Sequence, residues 1–169
     1  MPEFKVAVLV RNQFGVLNRV TSMFRRRRFN INCLTVSETE SPEFSRITVT
    51  SAGEEGDKNQ LIDQLYKLED VCSIKEIFDK DSVSCELLLI KVKNNPETRP
   101  LVRDTADAFG AMTVDYTRDS VIMQLTGDSR RIDDFIDLMR DYTILEICRT
   151  GIVSLERGAN TIRKNELFL

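Results

Sequence analysis

The stretch Asn12-Gln13-Phe14-Gly15-Val16-Leu17 decides how the first half of the chain folds. It follows residues 4–10, an apolar-rich segment typical of a β-strand. From Gly15 onward the apolar residues recur at helical spacing, which predicts a turn leading from a strand into a helix. Such a turn presents backbone N–H groups that have no partner inside the helix.

Two asparagines flank this helix in the sequence. Asn12 precedes the turn, and Asn30 follows the helix within Phe29-Asn30-Ile31. An amide both donates and accepts hydrogen bonds, which suits a ligand that carries an ammonium and a carboxylate on one carbon. The helix start suits the carboxylate, and Gly15 lets the backbone approach it without an intruding β-carbon. These features predict a site for a small zwitterion, although an ordinary turn with capping residues has the same pattern.

The segments on either side complete two copies of a β-α-β-β-α-β order. In the first copy a hairpin of residues 31–36 and 44–50, a helix around Leu61 to Leu68 and a strand of residues 71–78 follow the first helix. After the charged break of residues 79–82, the second copy places strands at 85–92, 111–116, 120–125 and 143–149, with helices around 101–109 and 132–139 and Asp128 as an N-cap.

Connection rules turn each copy into a split β-α-β sandwich, with two helices on one face of an antiparallel sheet. The predicted fold class is α+β, with two tandem ferredoxin-like βαββαβ sandwiches. The predicted domains are residues 1–78 and 84–158, followed by a short polar tail of residues 159–169. Residues 30–34 would lie at an exposed sheet edge, so a homodimer through the first domain is expected, joined edge to edge or helix to helix.

Composition narrows the possible functions. The chain has 169 residues, of which 41% are hydrophobic and 30% charged, and it contains no histidine. The usual general base and the usual metal ligand are therefore missing. The four cysteines are widely spaced and are expected to be reduced thiols rather than metal ligands. With no apolar run long enough for a membrane span and no signal-peptide pattern, a cytoplasmic location without membrane contact is expected.

Charged clusters are the remaining candidates for chemistry. The run Arg25-Arg26-Arg27-Arg28 could bind phosphate, but cations at a helix C-terminus also oppose the helix dipole favourably. No aromatic-rich strands for stacking bases accompany it, so nucleic-acid binding is not expected. The pairs Glu54-Glu55 and Asp133-Asp134 are expected to be solvated rather than to hold a metal.

The sequence resembles a known family over nearly its whole length, in order. The resemblance is carried by Gly15-Val16-Leu17-Asn18-Arg19-Val20, by Phe29-Asn30-Ile31-Asn32-Cys33-Leu34-Thr35-Val36 and by Arg149-Thr150-Gly151-Ile152-Val153-Ser154-Leu155-Glu156-Arg157-Gly158. These segments are similar to the small, regulatory subunit of acetohydroxyacid synthase, also called acetolactate synthase, which opens with an ACT domain. The resemblance implies that the first sandwich is an ACT domain.

The family implies a non-catalytic role for the chain. It would bind the catalytic large subunit, raise the activity of that subunit in branched-chain amino acid biosynthesis, and confer feedback inhibition by valine. Thiamine diphosphate, Mg²⁺ and FAD would sit on the partner, with no catalytic residue, metal site or cofactor on this chain. Carried over by position, the valine site comprises Asn12, Gly15, Val16 and Leu17 from one chain and Asn30 and Ile31 from its dimer mate.

Two positions depart from the expected pattern. The family usually has glycine where this chain has Arg28, at a helix end where a left-handed conformation is expected. The Asn94-Asn95-Pro96 turn of the second copy lacks the Asn-x-x-Gly arrangement, so it is expected to be structural or partner-facing.

Two alternative functions follow from the fold class. One is a free-standing ACT amino-acid sensor that regulates another enzyme or a nucleic-acid-binding partner. The other is a hydrolase on the same sandwich, which would require turnover by the isolated chain.

Overall fold

The computed structural model describes residues 2–163 and divides them into two compact units. The first unit runs to Ser84 and also takes in the described residues from Ile152 onward, whereas the second unit spans Cys85–Gly151. Residues 152–158, the last seven of the predicted second domain, group with the first compact unit. Residues 164–169 of the predicted tail lie outside the described residues.

The first unit has the predicted β-α-β-β-α-β order. Its elements are β1 (Glu3–Arg11), α1 (Val16–Arg27), β2 (Cys33–Glu38), β3 (Phe44–Ala52), α2 (Glu55–Tyr66) and β4 (Val71–Ile77). The sheet is antiparallel, with strand order β2-β3-β1-β4, so β2 lies at an edge. Val6, Val8 and Val10 alternate along β1 and pack with Val20 and Phe24 of α1 in one buried cluster.

The second face of this sheet is also covered, which corrects the expectation of a single covered face. Ala7 and Leu9 of β1 are buried there against Phe44, Ile77 and Ile162. Ile162 belongs to the tail that was predicted to be polar, yet it is only 9% exposed. The run from Val6 to Val10 is continuously apolar because both faces of the strand are buried.

The polypeptide before Ile162 is held to the same unit by polar contacts. Strand β9 (Val153–Glu156) lies beside the first residues of β5 (Ser82–Lys93), where the Ser84 and Ser154 hydroxyls share a hydrogen bond at 2.7 Å. The Arg46 guanidinium donates to the Ser154 carbonyl at 2.7 Å, and Lys75 forms an ion pair with Glu156 at 2.5 Å. Burial lowers the pKa of Arg46, while the nearby Glu156 carboxylate opposes that shift. These contacts fix the C-terminal segment onto the first sheet.

The second unit repeats the order from the residues of β5 onward. Its remaining elements are α3 (Arg99–Ala108), β6 (Met112–Tyr116), β7 (Ser120–Gly127), α4 (Ser129–Met139) and β8 (Ile144–Arg149). The strands follow the order β6-β7-β5-β8. The predicted break at residues 79–82 is a short 3₁₀ turn, Asp79–Asp81, and Ser82 already begins β5. The predicted N-cap is confirmed, since the Asp128 carboxylate accepts from the Arg131 N–H at 2.8 Å.

The predicted fold class is confirmed in both halves, as two antiparallel sheets carrying helices in the β-α-β-β-α-β order. Among residues 2–163 no helix combines the length and apolar character that a bilayer crossing needs.

Candidate functional site

The turn between β1 and α1 has the backbone geometry that a glycine favours. Gly15 is the N-cap of α1, with φ of 81°, a left-handed conformation that costs glycine nothing. No side chain caps the helix, and the Val16 N–H bonds back to the Gln13 carbonyl at 3.3 Å. Beyond Val16, the first turn of α1 therefore has backbone donors without a side-chain cap, at the positive end of the helix dipole.

Asn12 fastens this turn to the neighbouring hairpin. Its backbone N–H donates to the Glu43 carbonyl at 2.7 Å. Its side-chain amide donates to the Pro42 carbonyl and to the Glu38 carboxylate, each at 3.0 Å. Glu38 is therefore a carboxylate beside the predicted site that the sequence reasoning missed, because it lies 26 positions away along the chain.

The apolar residues of the turn divide into one anchor and an exposed pair. Val16 is buried in the core beneath α1. Phe14 is fully exposed and Leu17 is 43% exposed. The exposed pair lies at the uncapped start of α1, whereas the anchor ties that start to the core.

The other predicted residues lie past the far end of α1. The Asn30 amide donates to the Asn32 side chain at 2.8 Å, and the Asn30 carbonyl accepts from the Ser51 hydroxyl at 2.6 Å. Ile31 is half-buried against the core of the first unit. Arg28, just before them, has φ of 60° and is the one non-glycine residue with positive φ in the described chain.

A single chain does not bring these two groups together. Helix α1 has 12 residues, which separates its ends by about 18 Å. The sheet shows the same separation, because the Asn32 amide donates to Glu3 at the start of β1 whereas Asn12 bonds Glu38 at the end of β2. Asn12, Gly15, Val16 and Leu17 thus form one candidate half-site, and Asn30 and Ile31 form the other, at opposite ends of α1.

A surface hollow of about 670 Å³ adjoins the first half-site. Arg11, Asn12, Glu43 and Cys72 line it, and Gly15 and Leu17 do not. Of the six predicted residues, this hollow therefore contains only Asn12. In residues 2–163 no group of three or more histidine, cysteine, aspartate or glutamate side chains is arranged to hold a metal ion.

Comparison with known protein families finds a match in each half of the chain. Residues 6–73 match the family model described as the AHAS small subunit-like ACT domain, and residues 85–158 match the model of the small subunit of acetolactate synthase. The first unit is therefore an ACT domain, and the chain is an ACT-domain protein with a second domain of related topology.

Individual proteins agree with both models over most of the chain. A probable acetolactate synthase small subunit from Archaeoglobus fulgidus is 46% identical over 153 residues, covering 90% of this chain and 96% of that protein. The acetolactate synthase small subunit of Bacillus subtilis is 42% identical, covering 90% of each chain. The crystal structure of the Thermotoga maritima small subunit superimposes with a TM-score of 0.88 at 33% identity, covering 95% of this chain and 100% of that one. The chain belongs to the acetolactate synthase small subunit family.

Proposed function

We propose that this chain is the regulatory subunit of an acetohydroxyacid synthase and works in the cytoplasm. It binds the catalytic large subunit, raises the activity of that subunit, and lowers it again when valine is bound. Catalysis takes place on the partner, which carries thiamine diphosphate, Mg²⁺ and FAD. Membership of the acetolactate synthase small subunit family supports this role over that of a free-standing sensor.

The observation that carries the effector proposal is the separation of the two half-sites. Valine has eight heavy atoms and cannot span the roughly 18 Å between the ends of α1. A second copy related by a two-fold axis can bring the opposite end of its own α1 to this one. Asn30 and Ile31 of the mate then meet the Gly15 turn. Strand β2 lies at the sheet edge, where such a copy can pair with it.

Each half-site then supplies a different part of the recognition. The valine carboxylate binds the uncapped N–H groups at the start of α1. The ammonium binds the oxygens of Asn30 and of the Glu38 carboxylate beside Asn12. The isopropyl group is covered by Leu17 and by Ile31 of the mate. Homodimerisation and effector binding are coupled in this arrangement because neither chain holds a complete site.

The expected binding free energy of valine is consistent with a site closed between two chains. At about −0.3 to −1.5 kcal/mol per heavy atom, the binding free energy of valine is roughly −2 to −12 kcal/mol. Micromolar to millimolar binding within that range requires most of the ligand to be buried. A coupling of about 1 to 3 kcal/mol to the active state of the catalytic subunit is then enough for feedback control.

The experiment is a calorimetric titration of valine, leucine, isoleucine and an unrelated amino acid into the purified chain and two variants. Gly15→Asp places a carboxylate against that of the effector, whereas Gly15→Asn has nearly the same shape and tolerates the left-handed backbone similarly without the charge. We expect valine binding to be abolished in the aspartate variant and at least partly kept in the asparagine variant, with both remaining dimeric. Unchanged valine binding by Gly15→Asp would contradict the site.

Regulation is tested by reconstitution with the catalytic subunit. The wild-type chain should raise its activity and make that activity sensitive to valine, whereas Gly15→Asp should activate without conferring sensitivity. Formation of acetolactate by the isolated regulatory chain, or no activation of the catalytic subunit, would contradict the proposed role.

A further inference from the structure

We propose that the second unit carries its own binding site for a small organic anion with an apolar body, in the cleft between α3 and the edge strand β6. The cleft has a volume of about 670 Å³, within the usual range of ligand pockets. The cleft is formed only by residues of the second unit, so its occupancy is independent of the valine site in the first unit.

The floor of the cleft is apolar. It is formed by residues that are almost fully buried in the core of the second unit, and these are Val92, Val102, Ala106, Val121 and Met123. Tyr116 of β6 forms part of one wall and is 57% exposed. An apolar body placed on this floor removes additional hydrocarbon surface from water, at about 25 cal/mol per Å².

The rim of the cleft carries three cations, Lys93, Arg99 and Arg103, against two carboxylates, Asp104 and Asp107, and the Arg99 side chain is held in place. The Arg99 Nε donates to the Asn94 Oδ1 at 2.8 Å. Asn94 is itself only 6% exposed and is fixed by donating its amide to the Thr117 carbonyl at 2.5 Å. Within residues 2–163 no carboxylate forms an ion pair with Arg99 or with Lys93, which also lines the cleft. The terminal nitrogens of Arg99 are thus available to an anion in a preset orientation.

The cations of α3, Arg99 and Arg103, do not stabilise the helix that carries them. Arg99 is the first residue of α3, where a positive charge opposes the helix dipole, and Arg103 follows one turn later as a like charge. Arg103 has only a long ion pair with Asp107, at 3.7 Å. The start of α3 has neither an acidic residue in its first turn nor a side-chain cap. A bound anion would relieve all of these unfavourable features together.

The turn that carries Asn94 repeats the hydrogen bonding of the turn in the first unit. Asn94 donates its backbone N–H to Asp119 and its amide to Thr117, as Asn12 does to Glu43 and to Pro42. The turn at residues 94–96 was expected to be structural or partner-facing because it lacks glycine. Asn94 does have a structural role, but the amide oxygen that it turns toward Arg99 makes the turn part of a cleft suited to a ligand.

The test uses the full chain labelled with ¹³C at the methionine methyl groups. Met123 reports on the floor of the cleft, and Met23, which is buried under α1 of the first unit, serves as the internal reference. The probes are octanoate, and octylammonium as a probe of the same length and opposite charge. We expect octanoate to shift the Met123 signal saturably in the millimolar range, with Met23 unchanged and with little response to octylammonium.

Matched variants distinguish a site that recognises negative charge from a cleft that binds any apolar chain. Arg99→Gln should weaken octanoate binding by at least about fivefold. Arg130→Gln, which makes the same change in the exposed first turn of α4 away from the cleft, should alter it less than about twofold. Equal shifts from both probes, no shift of Met123 with either probe, or unaltered binding by a folded Arg99→Gln would overturn the proposal.

Discussion

The Arg149 guanidinium holds the Glu86 carboxylate at two points, with Nε to Oε1 at 2.7 Å and Nη2 to Oε2 at 2.8 Å. Glu86 is only 4% exposed, and Ser129 donates a further hydrogen bond to it at 3.2 Å. The third guanidinium nitrogen reaches Asp133 at 2.7 Å. The hydrogen bonds that Arg149 donates to Glu86 raise the pKa of Arg149 above its ordinary value, outweighing the opposing effect of burial. This pair joins β5, β8 and α4 of the second unit.

Glu86→Gln is expected to destabilise the second unit by about 2 kcal/mol. The change keeps the shape of the side chain but leaves the guanidinium with one exposed carboxylate partner, and the one-third exposure of Arg149 moderates the loss. Urea unfolding measures the change, and amide hydrogen exchange in β5 and β8 locates it. Arg140→Ala, which removes an exposed ion pair with Asp137, should cost less than about 0.5 kcal/mol. Equal losses in the two variants would contradict the special role of the buried pair.

Arg28→Gly is expected to stabilise the first unit by about 1 kcal/mol. Arg28 ends α1 in the left-handed region, and the Phe29 N–H bonds back to the Phe24 carbonyl at 3.1 Å, so the strained conformation is fixed by the helix end. Arg28→Ala removes the same charge without relieving the backbone and should give no gain. Thermal and urea unfolding compare the two; an equal gain in both would attribute the effect to the arginine cluster instead.

Mixing two inactive variants should restore valine binding if the site is shared between chains. Gly15→Asp disables the first half-site and Asn30→Ala the second, so each homodimer has no intact site. In a mixed dimer, Gly15 of the Asn30→Ala chain meets Asn30 of the Gly15→Asp chain and completes one site of two. After subunit exchange of equal amounts, about half of the dimers should bind one valine each. Calorimetry that finds no binding in the mixture, with exchange verified by mass labelling, would contradict a shared site.

Ile162→Ala is expected to destabilise the first unit by about 2 kcal/mol. The side chain is 9% exposed against Leu9 and Phe44, and its loss opens a cavity on the second face of the sheet. Asn160→Ala, an exposed neighbour, should be neutral within about 0.5 kcal/mol. Hydrogen exchange should accelerate in β1 and β4 but not in α4. Unchanged exchange in β1 would contradict the packing of the tail on this sheet.

Much of the fold could be predicted because its signals are local. Alternating apolar residues mark β3 and helical spacing marks α1, and these patterns depend on neighbours only a few positions away. The cap at Asp128 and the left-handed end at Arg28 are set by the backbone requirements of a single helix terminus. The order of elements in the second unit could be predicted for the same reason.

One signal of tertiary packing is present in the sequence itself. Residues Val6 to Val10 include no polar side chain, although a strand with one solvated face would alternate. The continuous run indicates a strand buried on both faces, but it does not identify what covers the second face. The covering residue, Ile162, lies in a segment whose composition is mostly polar.

The sequence by itself thus determined the two β-α-β-β-α-β units, the glycine at the first strand-to-helix turn and the family. The tertiary structure decided that the C-terminal segment packs on the first sheet, that the six candidate residues fall into two half-sites at opposite ends of α1, and that Asn94 orients Arg99 over an apolar cleft. The physical reason is the separation along the chain over which each kind of interaction acts. Local patterns fix each element, whereas contacts between residues far apart in the chain depend on how the completed elements pack against one another.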